Sequence, residues 1–539
     1  MRILKFIREY LIEYSQSLIL FSIISLISWG IDMYLPLING RFIDLLVEKN
    51  FSRSIVTIII LIAVLNISKI GMTYFINIIY SKLSANITFK ITYKVLNHIK
   101  LLPINFFYNK NSAYLNQRIN MDSSNIADFT VNNIRELLVN IISFILSIYI
   151  LMTINLKITS ILIILIPGYL LLYTLFRKKL YKSNFKYKEF NNRLFGDMNS
   201  QIDNIKFIKI NSLTEILNDR LKLNFKELLR SYINLTRVST LFSNCGMLIN
   251  VLANIVILLI GINEIIKNSL TIGQFTIIGT YFGIILKSIE YFLSFSKVYQ
   301  NVNVSYDRLS SLLELDIEID GKETLEKITK IELINLDFSY NKENNLISKF
   351  NYTFTLGNIY KINGANGKGK STLINILIGL YNNYEGIIKY NGINILNINM
   401  YEIRKTLISM VEQEPMLLND SILNNLTYNL KEYREKDIES IMNILNLNDV
   451  INNLEKGLYT EVTDKVYNFS GGEKQKISLT RALLKKPNLL ILDEVNSALD
   501  ADSILNLVNL LNKIKKDKII IIISHTNSFD SIIDYNIEL

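Results

Sequence analysis

Long apolar runs broken by basic, polar connections fill residues 1–315, and the pattern then changes. A bilayer-crossing helix needs about 20 mostly apolar residues. Six stretches meet that condition, near Ser17–Leu37, Ile55–Tyr80, Leu137–Ile154, Ile158–Phe176, Val238–Ile262 and Thr271–Phe295. Pro36 and Pro167 lie within or at the ends of these runs, where membrane helices tolerate proline. The first, third and fifth connections are short. The second, from about Ser81 to Glu136, and the fourth, from Arg177 to Arg237, are long and carry helical apolar spacing. That spacing predicts helices that continue out of the membrane and turn back at short bends, near Arg118–Ser124 and near Asn199–Ile205. The fourth connection opens with Arg177, Lys178, Lys179, Lys182, Lys186 and Lys188, which places it in the cytoplasm together with the basic start at Arg2, Lys5 and Arg8. An even number of crossings returns the chain to the cytoplasm. The first apolar run is too long, and too poor in a small-residue cleavage site, for a signal peptide, so it reads as a retained helix.

After Phe295 a helical stretch reaches about Leu315, and residues 316–328 read as a polar, acidic linker. From residue 329 to 539 the apolar pattern is that of an α/β domain, beginning with the alternating strand "KIELINLDFSY". Within "YKINGANGKGKSTLINILIGL", Gly364, Gly369, Lys370 and Ser371 fit G-x-x-x-x-G-K-[ST] between an apolar strand and an apolar helix. The loop Gly364, Ala365, Asn366, Gly367, Lys368, Gly369 lets successive N–H groups curl round phosphates. Lys370 would reach the β- and γ-phosphates, Thr372 follows in the same turn, and Ser371 would bind Mg²⁺. A second buried strand, Leu489 to Leu492, ends in Asp493 and Glu494, an acid for Mg²⁺ and a base for the attacking water. A third, "KIIIIISH", ends at His525 on the edge where α/β sheets bind ligands.

Composition narrows the class. Hydrophobic residues make up 50 % and mean hydropathy is +0.25, high for a wholly soluble chain. The net charge of +10 is read as positive-inside loops rather than as a nucleic-acid surface. One cysteine, Cys245, excludes an intrachain disulfide or a cysteine-based metal cluster. Several polar residues interrupt the spans, among them Asp32, Asn66, Lys69, Lys287 and Glu290. Such groups are costly in lipid and should face a cavity or one another. Lys287 and Glu290, spaced i,i+3, either line a substrate path or form a neutralised pair where the helix leaves the bilayer. Trp29 and Asp32 suit packing or interface anchoring.

Taken in order, "LDFSY", "GANGKGKST", "VEQEP", "TEV", "FSGGE", "LLILDE", "SALD" and "SH" resemble the motif series of an ABC transporter of the exporter type, and the resemblance covers essentially the whole chain. It implies an all-α six-helix transmembrane domain fused to an α/β P-loop ATPase that uses ATP and Mg²⁺. Tyr340 then resembles the aromatic that stacks on adenine, and Gln413 the glutamine that touches Mg²⁺ and the attacking water. Glu461 resembles the residue that contacts the cytoplasmic bends, Glu494 the catalytic base, and His525 the contact to the γ-phosphate. Asp500 resembles the aspartate that links the two sites. The implied metal set is Ser371, Gln413 and Asp493, beside the phosphate-binding Lys370.

The same resemblance implies that Ser470, Gly471 and Gly472 cap the γ-phosphate of ATP held by Lys370 of a second chain. The partner is then another half-transporter, this chain itself in a homodimer, set in membrane lipid with the transported substrate in the central cavity and with no nucleic acid. The expected setting is a bacterial plasma membrane, with the N-terminus and the ATPase cytoplasmic. Phe469 and Glu473 depart from the usual leucine and glutamine, and the glycine usual after "TEV" is absent near Thr463 and Val466. Neither an additional N-terminal domain nor a C-terminal regulatory extension is expected. A bacteriocin-like peptide is the expected cargo, with a lipid or a hydrophobic drug as alternatives. A nucleotide-gated channel or regulatory subunit is the rival class.

Overall fold

The structure, a computed structural model, describes residues 2–49, 53–108, 112–318, 320–340, 345–365, 367–428, 430, 432–462, 469–497 and 499–539. The chain forms two compact units, Met1–Ile99 with Ala113–Glu314, and Lys100–Ser112 with Leu315–Leu539.

The first unit is helical. In chain order its helices are α1 (Arg2–Glu13), α2 (Ser15–Val47), α3 (Arg53–Ile99), α4 (Ser112–Asp128), α5 (Ile134–Ile154), α6 (Leu156–Asp203), α7 (Ile205–Ile210), α8 (Thr214–Ile266) and α9 (Ile272–Leu313). Among the described residues, five helical runs are long and apolar enough to cross a membrane: α2, α3, Arg118–Ile154, α8 and α9. The remaining expected span, Ile158–Phe176, lies within α6, and the side chains of 161–166 are outside the described residues. A π-helical turn, Phe129–Asn133, joins α4 to α5.

The expected bend near Arg118–Ser124 is not there. That stretch is helical, and Arg118 and Asp122 form an i,i+4 ion pair at 3.9 Å on one helix face. The interruption comes earlier, after Ile99. Pro103 lacks an N–H and disfavours helical backbone in Leu102, so α3 stops and a short 3₁₀ turn, Ile104–Phe106, follows. The second break begins at Asn204, as expected, and is completed at Asn211–Leu213, where Ser212 adopts φ 52°.

Caps start the helices after two of the short connections. Asn155 accepts a hydrogen bond from the Ile158 N–H at 3.0 Å and starts α6. Thr271 and Gln274 form a reciprocal capping box at α9. The Asp44 carboxylate, near the end of α2, accepts from Gly273 N–H at 2.6 Å and from Thr271 Oγ1 at 2.8 Å. An acid at a helix N-terminus is electrostatically favourable. Gly40 and Gly273 allow this approach, since a Cβ on Gly273 would collide with the Gly40 carbonyl oxygen.

The second unit contains two sheets. One is antiparallel in the order β2-β1-β4-β5, from β1 (Lys330–Phe338), β2 (Ile347–Thr355), β4 (Glu385–Tyr390) and β5 (Ile393–Asn394). The other has the order β6-β7-β8-β3-β9, from β3 (Ile359–Asn363), β6 (Ile408–Val411), β7 (Leu489–Asp493), β8 (Ile519–Ile523) and β9 (Tyr535–Glu538), with every pair parallel. Its helices are α10 (Lys370–Leu377), α11 (Met400–Thr406), α12 (Ile422–Thr427), α13 (Glu435–Ile444), α14 (Asn448–Asn452), α15 (Gly471–Leu484) and α16 (Ala501–Ile514). β7 and β8 are buried along their whole length, as their unbroken Leu and Ile runs require of strands covered on both faces.

Candidate nucleotide site

Parallel strands deliver their carboxyl ends to one edge of a sheet. Four neighbouring strands of the second unit do so here: β3 leads into the loop 364–369, β6 towards Gln413, β7 ends in Asp493, and β8 leads to His525. The loop closes onto α10 through Gly369, at φ 95°, where a Cβ would also meet Leu346 at 3.0 Å.

The side chains at this edge touch one another. Lys370 Nζ donates to the Gly364 carbonyl at 2.7 Å and lies 3.1 Å from His525 Nε2. Glu494 Oε1 is 3.3 Å from the same His525 nitrogen. That nitrogen accepts from Lys370 in one tautomer and donates to Glu494 in the other. Gln413 Nε2 donates to Glu494 Oε2 at 2.7 Å, and Ser371 Oγ donates to Asp493 Oδ2 at 3.3 Å. Glu494 has φ 49°, a left-handed backbone that costs a non-glycine residue about 1–2 kcal/mol. Its N–H is held by the Ile523 carbonyl of β8 at 2.9 Å.

Burial raises the Asp493 carboxyl above its ordinary range, and neighbouring Glu494 adds to the rise, against Ser371 and Lys370. A carboxylate so placed favours a cation beside it. Among the described residues no cluster of three His, Cys, Asp or Glu could hold a metal alone. Ser371 and Asp493 offer two oxygens, which fits Mg²⁺ completed by phosphate and water. The glycine loop with Lys370 fits a polyphosphate.

Tyr340 is 54 % exposed, and its hydroxyl lies 2.9 Å from Thr372 Oγ1. Ala365, Gly367 and Lys368 belong to the described loop, while Asn366 lies outside the described residues, as do Thr463 and Val466. Glu461 forms an isolated antiparallel bridge with Ser421.

Ser470 and Asp500 are engaged elsewhere. Ser470 is the N-cap of α15: its Oγ accepts from Glu473 N–H at 3.3 Å, and Glu473 Oε2 accepts from Ser470 N–H at 2.7 Å. Glu473, a departure in the motif, thus completes a capping box. Gly471 and Gly472 open the helix, where first-turn N–H groups have no intrahelical acceptor. Asp500 caps α16, accepting from Ser503 N–H at 2.8 Å and from Lys476 Nζ at 2.5 Å. Three residues that sequence reasoning misses also stand out: Lys476, Tyr381 and Tyr108. Each reads locally as an ordinary basic or aromatic position.

In the membrane unit Lys69 pairs with Asp32 across α2 and α3. Trp29 Nε1 donates to Ser143 Oγ at 2.7 Å. Lys287 and Glu290 are exposed on α9, while Ser288 and Ile289 between them are buried.

Comparison with known families agrees with this geometry. The family described as "ABC transporter transmembrane region" matches residues 18–289, just over half of the chain, and "ABC transporter" matches 347–497. The chain belongs to the ABC transporter family. It is similar to the multidrug resistance-like ATP-binding protein MdlA of Buchnera aphidicola, at 27 % identity over 99 % of this chain and 93 % of that protein. It is similar also to the lactococcin-A transport/processing ATP-binding protein LcnC of Lactococcus lactis, at 25 % identity over 82 % of this chain and 62 % of that protein. A solved bacterial Atm1-family ABC exporter with ATP bound shares the fold, with a TM-score of 0.85 at 18 % identity, covering 98 % of this chain and 94 % of that one. The chain is therefore an exporter-type half-transporter, an integral membrane protein with a cytoplasmic ATPase domain that couples ATP hydrolysis to transport.

Proposed function

We propose that two copies of this chain export a peptide, each copy supplying half of both ATP sites. The observation that carries the dimer is the placement of Ser470, Gly471 and Gly472. Their helix start is largely exposed, and the Ser470 side chain is tied to Glu473 and not to its own chain's Lys370. A helix N-terminus with free N–H groups suits a phosphate brought by a second chain.

In this reading Lys370 and the loop N–H groups bind the β- and γ-phosphates, and Tyr340 stacks on adenine. Ser371, Gln413 and Asp493 hold Mg²⁺, which offsets charge on the phosphates when bound. Glu494, oriented by Gln413, takes a proton from the attacking water, and His525 steadies the γ-phosphate. Asp500 connects the signature helix to the facing site. ATP binding closes the two ATPase units and hydrolysis reopens them, which couples nucleotide state to cavity access.

The exposed Lys287 and Glu290 of α9 support a peptide, which carries both signs of charge, and so does the likeness to a lactococcin transporter. The likeness to a multidrug-type relative favours a hydrophobic drug as the second reading. Two measurements test the proposal. In a Cys245→Ser background, Ala365→Cys with Ser470→Cys should form an interchain crosslink on oxidation, more of it with ATP; intrachain crosslinking alone would overturn the dimer. Inverted vesicles should accumulate labelled peptide in an ATP-dependent way. Uphill movement of drug or lipid but not peptide would overturn the cargo, and gating without uphill movement would overturn export.

A further inference from the structure

Tyr381, just beyond α10, is only 1 % exposed, yet its hydroxyl meets two other phenols. The Tyr108 hydroxyl is 2.5 Å away, and the two rings stack at 6.3 Å and 18°. The Tyr340 hydroxyl lies 3.5 Å away on the other side, and Tyr340 in turn reaches Thr372 Oγ1 at 2.9 Å. Tyr340 also stands edge-on to Phe338 and Tyr381, at 5.1 Å and 5.9 Å. One line of hydroxyls therefore runs from Tyr108 through Tyr381 to Tyr340 and the P-loop helix. Each phenol has one proton to donate, so the direction of one hydrogen bond sets the next. Burial, with the bonds from Tyr108 and Tyr340, pushes the Tyr381 phenol well above its ordinary range, so it stays protonated.

Tyr108 ends the described stretch 100–108, which follows α3 in the chain and belongs to the ATPase unit. Further ties hold the described part of this stretch: Glu318 N–H donates to the Leu101 carbonyl at 2.7 Å, Asn105 Nδ2 reaches Asn383 Oδ1 at 3.5 Å, and Ile104 packs against the core of the ATPase unit. Among the described residues, the Tyr108 hydroxyl reaches Tyr340 through Tyr381.

We infer that Tyr108 is a positioning residue for the nucleotide: through Tyr381 it fixes the ring of Tyr340, so adenine affinity depends on the α3–α4 connection. This rests on reading Tyr340 as the adenine platform. Only the base should sense the relay, because the phosphates are held by the loop and Lys370.

The test uses the full-length chain in lipid, with KM for ATP and inhibition by inorganic tripolyphosphate as the two readouts. Tyr108→Phe keeps the stacked ring and removes the hydroxyl. It should raise KM for ATP by about 5-fold, the effect of one hydrogen bond, with kcat and tripolyphosphate inhibition unchanged. Tyr381→Phe should do the same, and the double variant should be no worse than either single one. Unchanged KM in Tyr108→Phe, or equal weakening of ATP and tripolyphosphate, would overturn the relay. Tyr340→Ala separates the two readings. If it leaves KM for ATP unchanged, the platform reading falls and takes the relay with it. If it raises KM while Tyr108→Phe does not, the relay alone falls.

Discussion

Lys476 and Asp500 form an ion pair at 2.5 Å that ties the signature helix α15 to the N-cap of α16. The lysine side chain is only 10 % exposed and the carboxylate 50 %. Lys476, with burial opposing it and Ser503 assisting, holds the Asp500 carboxyl well below the ordinary carboxylate range. A depressed folded-state value contributes stability above the unfolded value of about 3.9 and loses it as pH falls through the folded one. Asp500→Asn keeps an N-cap acceptor and removes the charge. The stability difference between wild type and Asp500→Asn should be full at pH 7 and shrink below about pH 4. Thermal unfolding across that range checks it, and a pH-independent difference would contradict the pairing.

Gln413 and Glu494 are joined by a 2.7 Å hydrogen bond at the sheet edge. Glu494→Gln retains size and removes the proposed base. ATP hydrolysis should fall by about 10²–10⁴-fold while ATP binding persists. Filter binding and phosphate release check both halves, and near-normal hydrolysis would reject Glu494 as the base.

Lys485 donates to the carbonyls of Arg404 and Ile408, and burial lowers its ammonium to about 8. A lysine whose folded value is lowered binds fewer protons folded than unfolded between that value and its ordinary 10.5. Its contribution to stability should therefore improve as pH rises through that window. The melting temperature of wild type relative to Lys485→Met should increase from about pH 8 to about pH 10, and a flat difference would contradict it.

The glycine loop of the candidate site is legible in the sequence because its residues are local: glycines, Lys370 and Ser371 lie close together in the chain and sit on one strand-to-helix turn. The parallel edge that gathers Gln413, Asp493 and His525 follows from apolar strands ending in polar residues. Periodicity misplaces the α3–α4 connection because apolar spacing runs on past Ile99, whereas Pro103 is what ends the helix. Glu473 reads as a mere departure from the motif, although S-x-x-E is a capping signature. Tyr108 is not legible at all, since its partner is 273 residues away in the chain.

Lys69 and Asp32 pair between α3 and α2, both within runs apolar enough to cross the membrane. A charge left alone in such a span is costly, by about 2.5–3.5 kcal/mol at a helix centre, whereas a paired one is offset by its neighbour. Removing one partner should therefore be worse than removing both. Lys69→Leu or Asp32→Leu should each lower the yield and melting temperature of the detergent-extracted protein. The joint replacement should recover most of that loss. Transport separates structure from substrate contact: if the double variant is stable and still exports, the pair serves packing. If it is stable, hydrolyses ATP and no longer exports, Asp32 and Lys69 lie on the substrate path. Equal or additive losses in all three variants would show that the pairing carries no coupling.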